Sequence, residues 1–262
     1  RPSGPAASWG LDRIDQPSLP LSGTFEHDPA GGAGVRAYVV DTGVRASHSE
    51  LDGRVAAGIG LVAGTGSTDD CHGHGTHVAG TIAGATLGIA RAATIVPVRV
   101  LDCTGSGWDS TVIAGLDWIP AVANLSIGGT ADATLDAAVN ATVADGVAVA
   151  VAAGNDYGAD ACTRSPAAAA AALTVGATTS SDARAIYSNV GACLDLFAPG
   201  SGIVSAGIAS DTATATMSGT SMATPHVAGI AAVLFGRDPS ASATTIEAAV
   251  IASATSGLVT NA

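Results

Sequence analysis

Residues 218–229 have the sequence SGTSMATPHVAG, in which a polar turn passes into an apolar helix. We predict that this helix spans Ser221–Phe235 and is buried, because its residues are apolar on every side. Pro225 supports a helix start close to Ser221, since proline fits best near the beginning of a helix. A helix N-terminus presents free N–H groups and positive potential, so negative charge would be stabilised beside Ser221.

Five runs upstream of this segment are almost wholly apolar and rich in β-branched residues, which is typical of strands covered on both faces. They are Val35–Val40, Ile95–Leu101, Val122–Ile127, Val147–Ala152 and Leu173–Ala177. Helical patterns are found at Gly75–Ala85, Ser110–Ile119, Ala131–Ala144 and, as a surface helix, Ser242–Ala252. This alternation predicts an α/β fold with a central, mostly parallel sheet and helices on both faces.

The chain has 262 residues, enough for one large α/β domain, and no linker or repeat divides it. Its first 30 residues are rich in proline, serine and glycine and predict an irregular N-terminal arm within that domain. No apolar run reaches the ~18 residues that would span a bilayer. The sequence begins at Arg1 without a leader, which is typical of a processed form.

The net charge excludes some classes of partner. It is −12 at pH 7, and all ten basic residues are arginine. Nucleic acids and anionic membranes attract basic surfaces, so we expect this chain to bind neither.

Four cysteines, Cys71, Cys103, Cys162 and Cys193, are compatible with two disulfides or with four buried thiols. The sequence alone leaves three pairings open. Joining 71 to 103 and 162 to 193 would close two loops of about 32 residues, each worth about 3.7 kcal/mol in the chain-entropy model. Such bonds would require an oxidising compartment.

A carboxylate, an imidazole and a hydroxyl occur in three separated, glycine-containing segments: Asp41 in Val39–Gly43, His74 in His72–Gly80 and Ser221 in residues 218–229. A serine hydroxyl becomes a good nucleophile when a base takes its proton, and histidine is the natural base near neutral pH. A buried carboxylate orients the histidine and stabilises the imidazolium. Taken singly, Asp41 could be a turn residue, His74 a core or metal-binding histidine, and Ser221 a helix cap.

Two amide donors complete the predicted site. Asp41, Ser126 and Asn155 all lie at or just after predicted strand ends, where ligands bind in open α/β sheets. The Asn155 side chain and the Ser221 backbone N–H could together stabilise the oxyanion that develops on a substrate carbonyl. The alternative for Asn155 is a turn residue after Gly154.

The motifs VDTG (40–43), HGTHVAG (74–80) and GTSMATPHVAG (219–229), in the order Asp, His, Ser, resemble those of the subtilisin-like serine proteases. The resemblance is to the proteinase K and aqualysin branch, and it runs from Trp9 to about Phe235. It implies a three-layer subtilisin-like fold in a single peptidase catalytic domain over residues 1–262. It further implies a secreted endopeptidase with Asp41, His74 and Ser221 as its triad and Asn155 at the oxyanion position.

The resemblance also assigns the peptide-binding residues. The substrate would lie as an extra strand between Gly105, Ser106 and Gly107 on one side and Leu125, Ser126, Ile127 and Gly128 on the other. Ala152, Ala153 and Gly154 would line the primary pocket. Because these three carry no charge, we expect broad specificity with a preference for large apolar or aromatic residues before the cleaved bond.

Structural calcium and a disulfide pairing are implied as well. One calcium site would use Asp195 with the backbone carbonyls of Ala170 and Ala172, and a second would use Asp12, Asp15, Gln16 and Ser22, which could instead be solvated residues of the arm. The implied disulfides join Cys71 to Cys103 and Cys162 to Cys193. We expect a secreted, extracellular monomer that acts on protein and peptide substrates after removal of an inhibitory pro-segment.

Two other functions fit parts of the pattern. A metal-dependent hydrolase could use His72, His74 and His77, although no His-Glu-x-x-His helix signature accompanies them. A non-catalytic binding module could retain the fold, although the intact set of Asp41, His74, Ser221 and Asn155 favours an enzyme. Inhibition by a serine-directed fluorophosphonate separates both from a serine protease.

Overall fold

A computed structural model describes residues 2–262, so only Arg1 of the predicted arm lies outside the described residues. The helices are α1 (Trp9–Ile14), α2 (His74–Ala83), α3 (Asp109–Leu116), α4 (Ala133–Ala144), α5 (Thr220–Arg237) and α6 (Ala243–Ser253). The strands are β1 (Ser3–Pro5), β2 (Thr24–Glu26), β3 (Arg36–Asp41), β4 (Ile59–Gly60), β5 (Thr94–Arg99), β6 (Val122–Leu125), β7 (Gly129–Thr130), β8 (Ala148–Ala152), β9 (Arg164–Ser165), β10 (Leu173–Thr178), β11 (Leu196–Pro199), β12 (Ile203–Ala206) and β13 (Thr214–Met217).

Seven strands form one sheet in the order β11-β10-β8-β6-β3-β5-β4. Every neighbouring pair in it is parallel. Since β8, β6 and β3 are adjacent at the centre, their carboxyl ends lie together at one edge. The predicted parallel sheet is therefore confirmed, and three short antiparallel pairs (β1–β2, β7–β9 and β12–β13) are added around it among residues 2–262.

Side chains of the central strands alternate between two cores, as the β pleat requires. On β3, Ala37 and Val39 face a core that they share with α2, α5 and α6. Tyr38 and Val40 face the opposite core, which α3 and α4 cover. Helices therefore cover both faces of the sheet, which confirms the three-layer architecture.

The helix α6 lies at the surface, as predicted, with one face against the core. It buries Ala243, Ile246 and Val250 in the core that α5 also helps to form, and most of its other residues are exposed. The much longer α5 has most of its residues buried, as predicted. Among residues 2–262, no helix combines the length and the apolar character that crossing a membrane requires.

The first 30 residues are not irregular throughout, which corrects the sequence prediction. β1 pairs with β2, and α1 lies between them in the chain. Leu11 of α1 and Phe25 of β2 are buried against Ile89 in a small separate core. The high proline and glycine content suggested a loop, but these apolar side chains dock the segment on the domain.

Candidate active site

Asp41 and His74 form a hydrogen-bonded pair at the carboxyl edge of the sheet. Asp41 ends β3 and is fully buried, and His74 begins α2. The Nδ1 atom of His74 lies 2.8 Å and 2.9 Å from the two Asp41 carboxylate oxygens. Gly75 allows this approach, because a Cβ there would lie 2.1 Å from the Gly43 carbonyl oxygen. An ionised carboxylate only accepts hydrogen bonds, so Nδ1 carries the proton and Nε2 of the neutral ring can act as a base.

The pKa of His74 reflects two opposing effects. Burial disfavours the charged ring and lowers the pKa, but the charge and hydrogen bond of Asp41, together with the charge of Asp70, outweigh it. The pKa of His74 therefore lies above its ordinary value of 6.5. An imidazolium formed during a reaction would be stabilised by the same groups.

Asp70 fixes the start of α2. Its carboxylate accepts hydrogen bonds from the backbone N–H groups of His72, Gly73 and Thr76. A helix start leaves such N–H groups without partners in the helix, so Asp70 satisfies them. Burial would raise the pKa of Asp70, but these hydrogen bonds hold it below its ordinary value.

Ser221 is the second residue of α5 and lines the same cleft as His74. Its hydroxyl donates to the Ser126 carbonyl oxygen at 3.0 Å, and this is its hydrogen-bond partner among the described residues, in place of His74. The Ser126 hydroxyl in turn donates to the Ser221 carbonyl at 2.8 Å. That carbonyl is available because Pro225, four residues on, has no N–H to donate to it.

These contacts fix the orientation of the Ser221 hydroxyl. The Ser221 hydroxyl has to turn from Ser126 toward His74 before the imidazole can take its proton. Catalytic hydrogen bonds often become short only when substrate is bound, so this arrangement is compatible with the predicted pair.

The Asn155 side chain is held in one orientation by the first residue of α5. Its Oδ1 accepts the Thr220 backbone N–H at 2.8 Å and the Thr220 hydroxyl at 3.1 Å. A backbone N–H can only donate, so Oδ1 must face Thr220 and the amide nitrogen faces away from it. The Ser221 N–H also has no acceptor within residues 2–262, because it belongs to the first turn of α5. Two amide donors are thus present beside the Ser221 hydroxyl.

A cleft of about 500 Å³ passes these groups. It is lined by the predicted residues Gly105, Ser106, Gly107, Ser126, Ile127 and Gly128. Leu125 is an exception, because its side chain is fully buried in the core under α3 and α4. Asp109 also lines the cleft, and its pKa is raised by burial and by the nearby Asp132.

A second recess of about 350 Å³ opens beside Ser221 and Asn155. Ala152 and Gly154 line it, as predicted for the primary pocket. Ala153 does not, because it is buried in a separate small core. Side chains of successive strand residues point to opposite faces, so Ala153, which follows the last residue of β8, faces away from Ala152.

Asp156 and Arg164 complete the wall of this recess, so it contains charged side chains in addition to the uncharged predicted residues. Asp156 follows Asn155 directly, whereas Arg164 is brought in by the pairing of β9 with β7, in which it lies opposite Thr130. The sequence gives no local sign of this pairing, because each strand has only two residues.

The first predicted calcium site has the kinds of oxygen donor that the ion prefers. Asp195 accepts the Thr174 N–H at 2.8 Å, and desolvation raises its pKa more than this hydrogen bond lowers it. Within residues 2–262 no ion pair with a basic side chain compensates this carboxylate. A carboxylate with carbonyl oxygens, here those of Ala170 and Ala172, is the donor set that Ca²⁺ prefers.

The residues of the second predicted calcium site form a hydrogen-bonded turn. Asp12 accepts the N–H groups of Ser22 and Gly23 and the Ser22 hydroxyl. The Gln16 side-chain oxygen also accepts the Ser22 N–H, and the Asp15 carboxylate accepts another backbone N–H. These hydrogen bonds favour a structural role in the turn for Asp12, Asp15, Gln16 and Ser22, and calcium at this second site stays a prediction.

The three histidines of residues 72–77 do not converge on one point. His74 faces Asp41, whereas His77 is fully buried with its Nε2 3.0 Å from the Ile203 carbonyl oxygen. In the described part of the chain, no three His, Cys, Asp or Glu side chains form a group that could hold a metal ion. The alternative of a histidine-ligated hydrolase therefore lacks its ligand set.

Both disulfides have the pairing that the resemblance implied, Cys71 with Cys103 and Cys162 with Cys193. The first joins the turn before α2 to the peptide-binding segment at Gly105. The second lies next to Arg164, at the wall of the recess.

Sequence reasoning missed Asp70, Thr220 and Arg164. Asp70 had a usable signal, since an aspartate shortly before a helix start is a typical capping residue. Thr220 lay inside the quoted motif, but its role depends on Asn155, which is 65 residues away in the chain. Arg164 depends on long-range strand pairing and had no signal.

Comparisons with known proteins agree with this geometry. A family model described as "Subtilase family" matches residues 32–262. The chain is 56% identical to the extracellular serine proteinase of Thermus sp. (strain Rt41A), over 98% of this chain and 63% of that protein. It is 50% identical to alkaline serine exoprotease A of Vibrio alginolyticus, over 97% of this chain and 48% of that protein. The crystal structure of a cold adapted subtilisin-like serine proteinase superposes with a TM-score of 0.93 at 47% identity, covering 98% of this chain and 94% of the other. The chain thus spans between about half and two thirds of the two sequence relatives.

Proposed function

The chain belongs to the subtilase family, and we propose that it is a serine endopeptidase that works through an acyl-enzyme. The observation that carries the proposal is the contact of His74 Nδ1 with Asp41, at the sheet edge where Ser221 opens a helix beside Asn155. Nucleophile, base, orienting carboxylate and amide donors are the parts that this chemistry requires.

In the proposed reaction, Ser221 Oγ attacks the carbon of the scissile carbonyl while His74 Nε2 takes the hydroxyl proton. Asp41 stabilises the imidazolium that results. The carbonyl oxygen becomes negatively charged and accepts hydrogen bonds from the Ser221 N–H and the Asn155 amide nitrogen. The C–N bond then breaks, His74 gives its proton to the leaving amine, and the acyl group stays on Ser221.

Deacylation uses the same groups with water as the nucleophile. His74 takes a proton from the water, whose oxygen attacks the acyl carbon, and the Asn155 amide again binds the oxyanion. The carboxylic acid product leaves as Ser221 Oγ regains the proton from His74. Metal chemistry has no part in these steps.

Substrate binding follows from the two walls of the cleft. An extended peptide would lie between Gly105–Gly107 and Ser126–Gly128, where backbone groups on either side can pair with it whatever its sequence. The recess beside Ser221 would take the side chain before the cleaved bond. Ala152 and Gly154 leave room there for large side chains, apolar and aromatic ones included.

The setting of the enzyme is also part of the proposal. Two disulfides favour an oxidising compartment, and the Thermus relative is named extracellular, so we propose secretion. Calcium at Asp195, Ala170 and Ala172 would be structural and would take no part in the reaction. Removal of an inhibitory pro-segment and a monomeric state remain predictions.

Labelling with a serine-directed fluorophosphonate tests the proposal. The protein should lose peptidase activity in proportion to labelling, and peptide mapping should place the label on Ser221. Ser221→Ala should take no label and should lose about 10⁶-fold in kcat, the magnitude known for a subtilisin, with an unchanged melting temperature. A label on another residue, or full activity of this variant, would overturn the triad assignment.

A further inference from the structure

Arg164 adds a recognition element to the primary pocket that the apolar pocket residues do not supply. We infer that it makes the pocket favour long side chains that end in a hydrogen-bond acceptor, those of glutamate and glutamine, and disfavour lysine. The inference rests on the proposed endopeptidase function, because the recess selects the residue before the cleaved bond only if Ser221 is the nucleophile.

The position of Arg164 is determined by backbone pairing. Arg164 lies in β9, opposite Thr130 of β7, and β7 follows directly on the peptide-binding residue Gly128. The remaining wall of the recess near Gly128 and Gly154 has no side chain to fill the space. A long substrate side chain entering beside Ser221 can therefore approach the guanidinium.

The guanidinium is oriented by a forked ion pair with Asp156. Arg164 Nε lies 2.9 Å from Asp156 Oδ2, and Nη2 lies 3.2 Å from Oδ1. The Asn189 side-chain amide, which is fully buried, also donates to Asp156 Oδ2 at 3.0 Å. Asp156 is thus held from two sides, and its oxygens are engaged by groups of the protein.

Arg164, in contrast, keeps donors to spare. A guanidinium has five N–H donors. Asp156 takes one from Nε and one from Nη2, and the Thr163 carbonyl oxygen lies 3.4 Å from Nη1. One N–H on each Nη atom is left without an acceptor among residues 2–262.

The unpaired N–H groups of Arg164 determine which substrate side chains bind more tightly in the recess. A glutamate carboxylate or a glutamine carbonyl can accept from Arg164 without displacing Asp156. A lysine ammonium only donates, so it meets the positive charge of Arg164 and an Asp156 carboxylate that already accepts three hydrogen bonds. Because the ion pair is partly open to water and neutral overall, the gain should come mainly from hydrogen bonding.

The test compares peptides that differ only in the residue before the cleaved bond: phenylalanine, glutamate, glutamine or lysine. Values of kcat/KM are measured for the wild type, Arg164→Met and Asp156→Asn, each normalised by fluorophosphonate titration of active sites. Arg164→Met should lower the glutamate-to-phenylalanine ratio roughly tenfold or more, the effect of a lost hydrogen bond to a charged group. Asp156→Asn should raise that ratio and lower cleavage after lysine further, since it unmasks the charge of Arg164.

Arg237→Met is the matched control, because it also breaks an exposed Arg–Asp pair, with Asp28. Arg237 lies 16 residues after Ser221 in α5, about 24 Å along the helix. This variant should leave all substrate ratios unchanged. A glutamate-to-phenylalanine ratio within twofold of wild type in Arg164→Met, or no rise in Asp156→Asn, would overturn the inference. If the wild type cleaves after phenylalanine but Arg164→Met changes no substrate ratio, only this inference is wrong. If the folded wild type shows neither cleavage nor labelling, the proposed function is wrong as well.

Discussion

The Asn155 side-chain oxygen accepts two hydrogen bonds from one residue, the backbone N–H and the hydroxyl of Thr220, at 2.8 Å and 3.1 Å. The Thr220 hydroxyl also accepts the Gly154 N–H, so it links the strand end before Asn155 to the helix that begins at Thr220. Thr220 borders the recess beside Ser221, but its hydroxyl is engaged by Asn155 and Gly154 and is therefore not offered to a substrate. It acts as a positioning residue for the amide that would bind the oxyanion.

Replacing Thr220 by valine should therefore reduce turnover more than substrate binding. The variant keeps the shape of the side chain and the backbone N–H but loses the hydroxyl, whose hydrogen bond is worth about 1 kcal/mol, or roughly fivefold. We expect kcat to fall by about that factor with little change in KM. Steady-state kinetics on a peptide substrate measure both values.

A double-mutant cycle shows whether the effect acts through Asn155. Asn155→Ala should itself cost about 10²-fold to 10³-fold in kcat, a magnitude measured on a subtilisin, and adding Thr220→Val should then change little. Thr224→Val is the control, since it also removes a buried hydroxyl from α5, one that donates to the Thr220 carbonyl and does not contact Asn155. It should lower stability and leave kcat within about twofold. Independent, additive effects of Thr220→Val and Asn155→Ala would contradict the positioning role.

The pH dependence of activity should report the raised pKa of His74. Only the neutral ring accepts the Ser221 proton, so kcat/KM should rise with pH, with a midpoint above the ordinary value of 6.5. Asp70→Asn removes one of the charges that raise this pKa and should move the midpoint to lower pH. Asp69→Asn, a change of equal charge at the exposed neighbour, should not. If Asp70→Asn has the same midpoint as the wild type, the group whose ionisation limits kcat/KM at low pH is not His74.

The raised pKa of His74 also affects the free energy of unfolding, which depends on pH in the opposite direction to activity. Because folding raises the pKa of His74, the stability gained from its protonation is complete below the unfolded value of 6.5. It is lost as the pH rises through the folded pKa. Activity should thus increase over the pH range in which this contribution to the free energy of unfolding disappears.

Calcium removal should lower the melting temperature through Asp195. An ion at 100 times its dissociation constant stabilises by about 2.7 kcal/mol, which a chelator removes. Asp195→Asn should abolish the difference between calcium and chelator. Asp12→Asn should lower the melting temperature equally in both, because Asp12 holds a hydrogen-bonded turn. Calcium dependence lost in Asp12→Asn and kept in Asp195→Asn would reverse the assignment of the site.

The sequence predicted those features of the fold that depend on local pattern. Alternation of apolar runs predicted the parallel sheet, and the rule that ligands bind beyond strand ends placed Asp41 and Asn155 on one edge. Features that depend on distant pairing were missed or wrong. Arg164 reaches the primary pocket only through β7 and β9, and the irregular arm proved to be docked by Leu11 and Phe25. Composition cannot show which apolar side chains of a proline-rich segment will find a partner in the core.

We expect the two disulfides to contribute similarly to stability but to affect substrate specificity differently. They span 32 and 31 residues, so loss of either should cost a similar free energy of unfolding, about 3.7 kcal/mol in the chain-entropy model. Their kinetic effects should differ, because each supports a different wall of the site. Replacing Cys71 and Cys103 by serine should raise KM for all peptides alike, since this bridge holds the Gly105 segment. Replacing Cys162 and Cys193 should instead weaken the preference for glutamate, since Arg164 follows Cys162 by two residues.

Unfolding by denaturant measures the stability of each double variant, and the four-peptide comparison measures its specificity. Equal kinetic effects of the two double variants would show that the bridges act on the fold as a whole and not on the walls they adjoin.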